Sequence, residues 1–308
     1  MAISVDRAFP RSGKVIVTGG TGFVGPKIVR ALGAAGHDVR ALVRDPRRGA
    51  ALGCELAEGD MTDPESLRRA ADGCAAVVHL VAIITGRPGD FERVMTKGTT
   101  ELAGAAAAAG VRRFVLMSAL GTSAETKDLV PYYRAKWAME RTVEGSGIPY
   151  TIFRPSFVFG AGGGALQQFL RIARLAPVTP IVGPGTQLLQ PIWVGDVAAH
   201  FAAAVDLDTA AGRTFELGGP DVVDWNEFWA RAKRALGTRR PSVHVPFWLL
   251  RQQARLLELL PHPPVTRDQL KMLATGDNVV ADPSAREVFG LPLVPLDEQL
   301  RRATAGRI

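Results

Sequence analysis

The stretch Lys14–Gly25, KVIVTGGTGFVG, decides the fold. Its first residues are apolar and β-branched, which suits a short buried strand. Gly19, Gly22 and Gly25 then fall three apart, and VGPKIVRALGAAG runs on with apolar residues at helical spacing until Gly36. A strand, a glycine turn and a helix in that order form a phosphate-binding loop. The first glycine permits the tight turn, the second lets backbone amides approach a pyrophosphate, and the third lets helix and strand pack closely. The helix start supplies unpaired amides and the positive end of its dipole. Thr21, Phe23 and Val24 complete the loop and belong to the same cofactor-contact set. Pro26 sits in the first turn, where its missing N–H has no intrahelical partner to lose.

Outward from this loop the chain alternates. DVRALVR, AAVVHLVA and RRFVLMSA read as further strands, and PESLRRAADG and TTELAGAAAAAG as helices closed by glycine. Buried strands alternating with helices give a parallel sheet covered on both faces, and right-handed crossovers wind it doubly. The fold class is therefore α/β, a Rossmann-type doubly wound parallel sheet. After Gly160 the texture becomes richer in Pro, Trp and Leu. PIWVGDVAAHFAAAVD reads as a strand and helix returning to the main domain, and PDVVDWNEFWARAKRALG as a capped amphipathic helix. The predicted organisation is a leader over 1–13, an NAD(P)-binding domain over 14–158 plus about 190–210, and a smaller, interleaved C-terminal lobe over 159–189 and 211–308.

A chain of 308 residues is long enough for one large α/β domain and a smaller companion. Its net charge of +7 comes from 37 basic and 30 acidic residues, with the arginines spread singly or in pairs. No basic block interleaved with aromatics appears, so nucleic acid is not an expected partner. Cys54 and Cys74 lack metal-ligand spacing and are expected to be small buried hydrophobes, with no metal site. The leader MAISVDRAFPRSG has no apolar core of signal-peptide length, and no apolar run is long enough for a transmembrane segment. The expected location is cytoplasmic or peripheral to a membrane, since a modest positive field attracts anionic phosphates and anionic surfaces.

The second strand ends at Arg44–Asp45. A carboxylate at that strand end takes the ribose 2′-OH of NAD(H), whereas a guanidinium suits a 2′-phosphate. Arg44 holds the strand end, with Arg48 one turn on, while Asp45 before Pro46 reads as a helix cap. NADP(H) is therefore favoured over NAD(H). In EGDMTDP, Asp60 and Met61 are placed to meet the adenine through the Asp side chain and a backbone N–H, and Asp63–Pro64 reads as another cap.

PYYRAKWAMERTV (Pro131–Val143) sets Tyr132 and Lys136 four apart, on one helix face. Such a pair suits acid/base work in hydride transfer, because a nearby ammonium favours the phenolate. The plainer alternative is a helix-start tyrosine with a surface lysine. His79, inside an apolar strand, reads as a satisfied core histidine.

TGGTGFVG, GDMTD, VVHLVA, VLMSALG, YYRAK and FRPSFVFG fall in an order that resembles the extended and atypical branch of the short-chain dehydrogenase/reductase superfamily. PIWVGDVA, RTFELGGPDVVDWNEFW, LLELLPHPPVTRDQLKML and GDNVV narrow the resemblance to NAD-dependent epimerase/dehydratase-like bacterial relatives of the nucleotide-binding accessory subunit of respiratory complex I, NADH:ubiquinone oxidoreductase alpha-subcomplex subunit nine. The resemblance implies a Rossmann core with an NADPH-type cofactor and a small C-terminal lobe. It also implies that Tyr132 is the acid/base, that Lys136 lowers its pKa and binds the nicotinamide ribose, and that a Ser or Thr near the end of the fifth strand polarises the substrate. RFVLMSALG puts Ser118 one residue early, so that the expected position falls on Ala119. Either Ser118 serves from an adjusted backbone, or Thr122 or Ser123 swings in, or the hydroxyl is missing. Met117 and Ser118 join the cofactor contacts. Pro155 to Val158, with Phe157 between them, are implied to lie along the nicotinamide, and Leu80, Val81 and Ala82 to line the cofactor by backbone contact.

PFWLLRQQARLLELLPHPP carries Trp248, Leu249, Leu256, Leu257 and Leu260 with Arg251 and Arg255. It suits a helix packed on its own lobe, or one resting on a bilayer surface or a partner helix. Three functions remain open. The first is an NADP(H)-binding protein whose nucleotide is structural or regulatory, with a respiratory-complex or membrane-surface partner. The second is an active NADP-dependent oxidoreductase or epimerase on a quinone-like, lipid-like or sugar-derived carbonyl. The third is an NADP(H) redox-sensing module.

Overall fold

KVIVT forms β1 (Lys14–Thr18), buried beyond its first residue. In the computed structural model, which describes residues 13–250, 252 and 266–305, β1 belongs to a seven-stranded sheet. The others are β2 (Asp38–Val43), β3 (Glu55–Glu58), β4 (Cys74–His79), β5 (Arg113–Met117), β6 (Tyr150–Pro155) and β11 (Arg213–Leu217). They lie in the order β3-β2-β1-β4-β5-β6-β11, and all pair in parallel. The winding reverses between β1 and β4. The carboxyl ends of those two strands therefore flank the crevice where open α/β sheets hold nucleotides.

The connecting helices are α1 (Gly25–Ala34), α2 (Pro46–Gly49), α3 (Pro64–Ala71), α4 (Pro88–Asp90), α5 (Gly98–Ala108), α6 (Pro131–Glu144) and α8 (Val194–Asp206). α1 packs on α8, while α5 packs on both α3 and α6. The predicted caps are present: Asp45 accepts from the Arg47 N–H and Asp63 from the Glu65 N–H, each with a proline next in the chain. Between α4 and α5, Phe91–Lys97 winds as a π turn, which buries both Phe91 and Met95. One core cluster gathers Ile16, Val77, Phe114 and Ile152 from four strands with Met61, Met95 and Met139.

The chain divides into two units. One comprises Met1–Pro155, Val194–Leu217 and Asp282–Pro292, and the other Ser156–Trp193, Gly218–Ala281 and Leu293–Ile308. Each unit is assembled from three separate segments. Arg213–Leu217, expected in the smaller lobe, is the edge strand of the main sheet, because RTFEL buries Phe215 and Leu217 while pairing with β6. Asp282–Pro292 also belongs to the first unit, where Phe289 meets Phe153 and Phe215.

In the second unit, β7 (Val158–Phe159) pairs with β10 (Ile192–Trp193), β8 (Thr179–Val182) with β13 (Ser242–Val245), and β9 (Leu188–Leu189) with β12 (Val223–Asp224). α7 (Gly164–Leu175) and α9 (Trp225–Ala235) close an aromatic core of Phe159, Phe169, Trp225, Phe228 and Trp229. Asp224 caps α9 through the Glu227 N–H, as predicted. Gln190 knots three segments: its amide accepts from Val280 N–H and donates to Gly219 O, and its carbonyl takes the Ser156 hydroxyl. Of the apolar stretch after β13, Trp248 and Leu249 are exposed; Arg251, Arg255, Leu256, Leu257 and Leu260 lie outside the described residues. Among the described residues, no helix is long and apolar enough to cross a membrane, and no cluster of potential metal ligands occurs. Cys74 is buried as expected, but Cys54 is only half-buried at the turn into β3.

Candidate functional site

The first unit brings most of the singled-out residues to the carboxyl ends of its strands. Directly after β1, Gly19 takes a φ of +76°. A Cβ there would lie 3.1 Å from Leu80 C and Val81 N, so the residue following β4 comes flush against the loop, and the Leu80 N–H donates to Thr18 O. The Gly22 N–H closes the turn onto Gly19 O at 3.0 Å. A Cβ at Gly25 would stand 2.4 Å from both Gly19 O and Gly20 O. No side chain caps α1, and its first turn carries no acidic residue. The turn is therefore free to present its amides to an anion.

At the other strand ends, Arg44 is exposed just beyond β2. Asp60 lies beyond β3, where its Oδ1 accepts from the Thr62 N–H at 2.8 Å and hydroxyl at 2.6 Å. Burial pushes the Asp60 carboxyl up, but the Thr62 donors and the Arg44 and Arg93 guanidiniums bring it below its ordinary value. The Met61 side chain is buried in the core, which leaves only its backbone for a ligand. Val81 is half-buried and Ala82 exposed.

His79 is fully buried, and both ring nitrogens are engaged. Nδ1 meets Thr18 Oγ1 at 2.5 Å and Nε2 meets Thr99 Oγ1 at 2.9 Å. Because Thr99 Oγ1 donates to Met95 O, it accepts from Nε2–H, and Nδ1 accepts from Thr18. Burial, and then the Lys136 charge, bring the imidazole down to about 3. The core reading of His79 holds.

The end of β5 faces α6. Lys136 is buried and donates through Nζ to Met117 O at 2.6 Å. Its Nζ lies 5.8 Å from the centroid of the half-buried Tyr132 ring, so the two do share a helix face. Burial brings the Lys136 amine down to about 7, against the attraction of Glu140. The expected depression of the Tyr132 phenol does not occur. Burial, with Tyr133 beside it, pushes it up, while the Lys136 amine donates to the Met117 carbonyl.

Among candidate hydroxyls, Ser118 and Thr122 are buried, and their oxygens have no hydrogen-bond partner among the described residues. Ser123 Oγ accepts from the Glu125 and Thr126 amides. Met117 and Ala119 are half-buried on either side of Ser118, which is the alternation a strand end imposes. The Ser118 hydroxyl thus points inward and Ala119 occupies the more open position. Sequence reasoning missed the buried pair behind Lys136. Glu140, one turn along α6, takes two hydrogen bonds from Arg154 of β6 at 2.8 and 2.6 Å. Its signal was the i,i+4 spacing to Lys136.

Pro155 ends β6 and accepts from the Leu120 N–H. Phe157 and Val158 belong to the second unit, where the Phe157 N–H donates to Asn278 Oδ1 and its carbonyl accepts from the Ile192 N–H. Those backbone groups are already engaged. Within the first unit, the side-chain-free cradle around Gly19 and Gly25 and the uncapped α1 fit the diphosphate of a dinucleotide.

A family model described as NAD(P)H-binding matches residues 19–167. The chain is 32% identical over 245 residues to a ceramide reductase of Caulobacter vibrioides, covering 76% of this chain and 74% of that protein. It is 29% identical to the mitochondrial NADH dehydrogenase [ubiquinone] 1 alpha subcomplex subunit 9 of Arabidopsis thaliana, covering 91% of this chain and 73% of the relative. Among solved structures, that of gox2253 superposes with a TM-score of 0.77 at 25% identity, covering 95% of this chain and 97% of the other.

Proposed function

Because the chain belongs to the NAD(P)-binding, atypical short-chain dehydrogenase/reductase family, we propose that it holds NADP(H) chiefly as a structural or regulatory nucleotide. The relative that is a subunit of NADH dehydrogenase supports service to a respiratory or quinone-related assembly. The observation that carries this reading is the end of β5: the Ser118 hydroxyl is turned inward and the more open position holds Ala119. A carbonyl substrate beside Tyr132 finds no hydroxyl there to polarise it, and a phenol pushed up by burial is a weaker proton donor to the developing alkoxide.

The chain's own groups have defined tasks in this reading. The amides of the Gly19–Gly25 loop and of the start of α1 hold the diphosphate. Arg44 takes the 2′-phosphate. Lys136 and Tyr132 hold the nicotinamide ribose. Bound nucleotide supplies hydride-transfer capacity. The test is to identify the nucleotide released from purified protein, then to follow nicotinamide absorbance with NADPH against long-chain ketones and quinones. NADP(H) release with no turnover is expected. Turnover abolished by Tyr132→Phe overturns the reading.

A second reading is a reductase of a lipid-like carbonyl. It is favoured by the Tyr132–Lys136 face and by the name of the Caulobacter relative. As to partners, Trp248 is 66% exposed beside Leu249, which supports a docking edge on the second unit. Flotation with anionic and neutral liposomes separates a membrane surface from a protein partner.

A further inference from the structure

We propose that Arg93, on the π turn after β4, is a second guanidinium for the 2′-phosphate of NADP(H), working with Arg44. The inference rests on the NADP(H) reading and names a further residue of the same site.

The loop that carries Asp60 and Met61 is flanked from two sides. On one side, the Gly59 N–H donates to Val43 O at 3.0 Å, so the loop leaves the sheet beside the residue that follows Val43, namely Arg44. On the other side stands the π turn. Its Phe91 and Met95 share a buried cluster with Met61. Gly98, next after the turn, sits so close that a Cβ there would lie 2.9 Å from Met61 O. With Phe91 and Met95 facing inward, Arg93 faces out, its side chain 61% exposed. Both guanidiniums also lower the Asp60 carboxyl, in keeping with the flanking of its loop by the strand end and the π turn.

The charges there are not balanced internally. Asp60 is already engaged by the two Thr62 donors. Arg44 forms no ion pair among the described residues. Arg93 has Asp90, three residues away at 3.1 Å, and an exposed pair of that kind holds its partners weakly. Two planar forks with unused donors suit a phosphate, which accepts from both at once, far better than a neutral ribose hydroxyl.

The test is calorimetric titration of the parent, Arg44→Ala and Arg93→Ala with NADP+ and with NAD+. Arg93 is exposed, so its removal leaves the fold intact. Arg93→Ala is expected to weaken NADP+ about tenfold while changing NAD+ less than about twofold. Should Arg44→Ala weaken NADP+ selectively while Arg93→Ala does not, the second guanidinium is wrong and the NADP(H) reading stands. Should the parent bind both nucleotides equally and neither variant alter the ratio, both ideas fall together.

Discussion

His79 and Lys136 are both fully buried ionisable residues of the first unit, and the fold treats them in opposite ways. His79, where β4 meets the glycine loop, has a partner for each ring nitrogen, and burial merely keeps it neutral. Lys136, where β5 meets α6, donates to the Met117 carbonyl, and just beyond β5 the Ser118 and Thr122 hydroxyls have no hydrogen-bond partner among the described residues. The first region is complete in itself. The second leaves two buried hydroxyls without a partner among the described residues. The proposed nucleotide would lay its diphosphate on the preset backbone of the first region and its ribose against the side chains of the second.

The largest effect that bears on this contrast is expected at the complete end. Gly25→Ala sets a methyl 2.4 Å from two backbone carbonyl oxygens, and neither is the tip of a flexible side chain. The loop must rebuild, at a cost of about 3 kcal/mol, and nucleotide binding is expected to disappear from a calorimetric titration. A Gly25→Ala protein that binds like the parent would show that this end is not preset.

The two buried ionisable groups differ next in their pH dependence. Lys136 holds its proton less tightly when folded, with the amine brought from 10.5 to about 7. The unfolded chain thus binds more protons between those values, so stability rises with pH across that window, by about 1 kcal/mol per unit. Urea unfolding at rising pH is expected to show this slope in the parent and a flatter one in Lys136→Met. His79, brought from 6.5 to about 3, works at the acid end. Its contribution is fully present above 6.5 and is lost as pH falls toward 3, again by about 1 kcal/mol per unit at most. His79→Gln is expected to flatten that acid limb alone. Bound NADP(H) sharpens the contrast: it should move the Lys136 limb and leave the His79 limb in place.

The complete end was also the legible one, for a physical reason. The glycine spacing, the strand before it and the Asp45 and Asp63 caps are local, and each acts within a few residues of chain. The alternation that buries Ser118 and leaves Ala119 more open is local as well. What stayed hidden depends on distant segments. The edge strand Arg213–Leu217 returns to the sheet only after an excursion through the second unit. The π turn is set by the packing of Phe91 and Met95 against Met61, and Arg93 is aimed by that turn. The Glu140–Arg154 pair joins a helix and a strand. The upward shift at Tyr132 likewise follows from its burial beside Tyr133, which spacing on a helix does not specify.

The smallest expected effect lies at the unfinished end and is the most discriminating. An unpartnered buried hydroxyl destabilises the nucleotide-free protein, so Ser118→Ala is expected to raise the unfolding free energy by about 1 kcal/mol. If the hydroxyl is completed by nucleotide, the same change removes a hydrogen bond from the complex, and NADP+ affinity should fall severalfold. The two signs are opposed, which a purely structural role of Ser118 does not produce. A variant that gains stability and keeps its affinity would mean that the β5 end is simply poorly satisfied, and that the nucleotide is held at the glycine loop alone. Ala119→Ser in the same background places a hydroxyl at the more open position. If the structural reading of the nucleotide is right, that change supplies what the site lacks, and slow NADPH oxidation with a long-chain ketone is expected where the parent shows none.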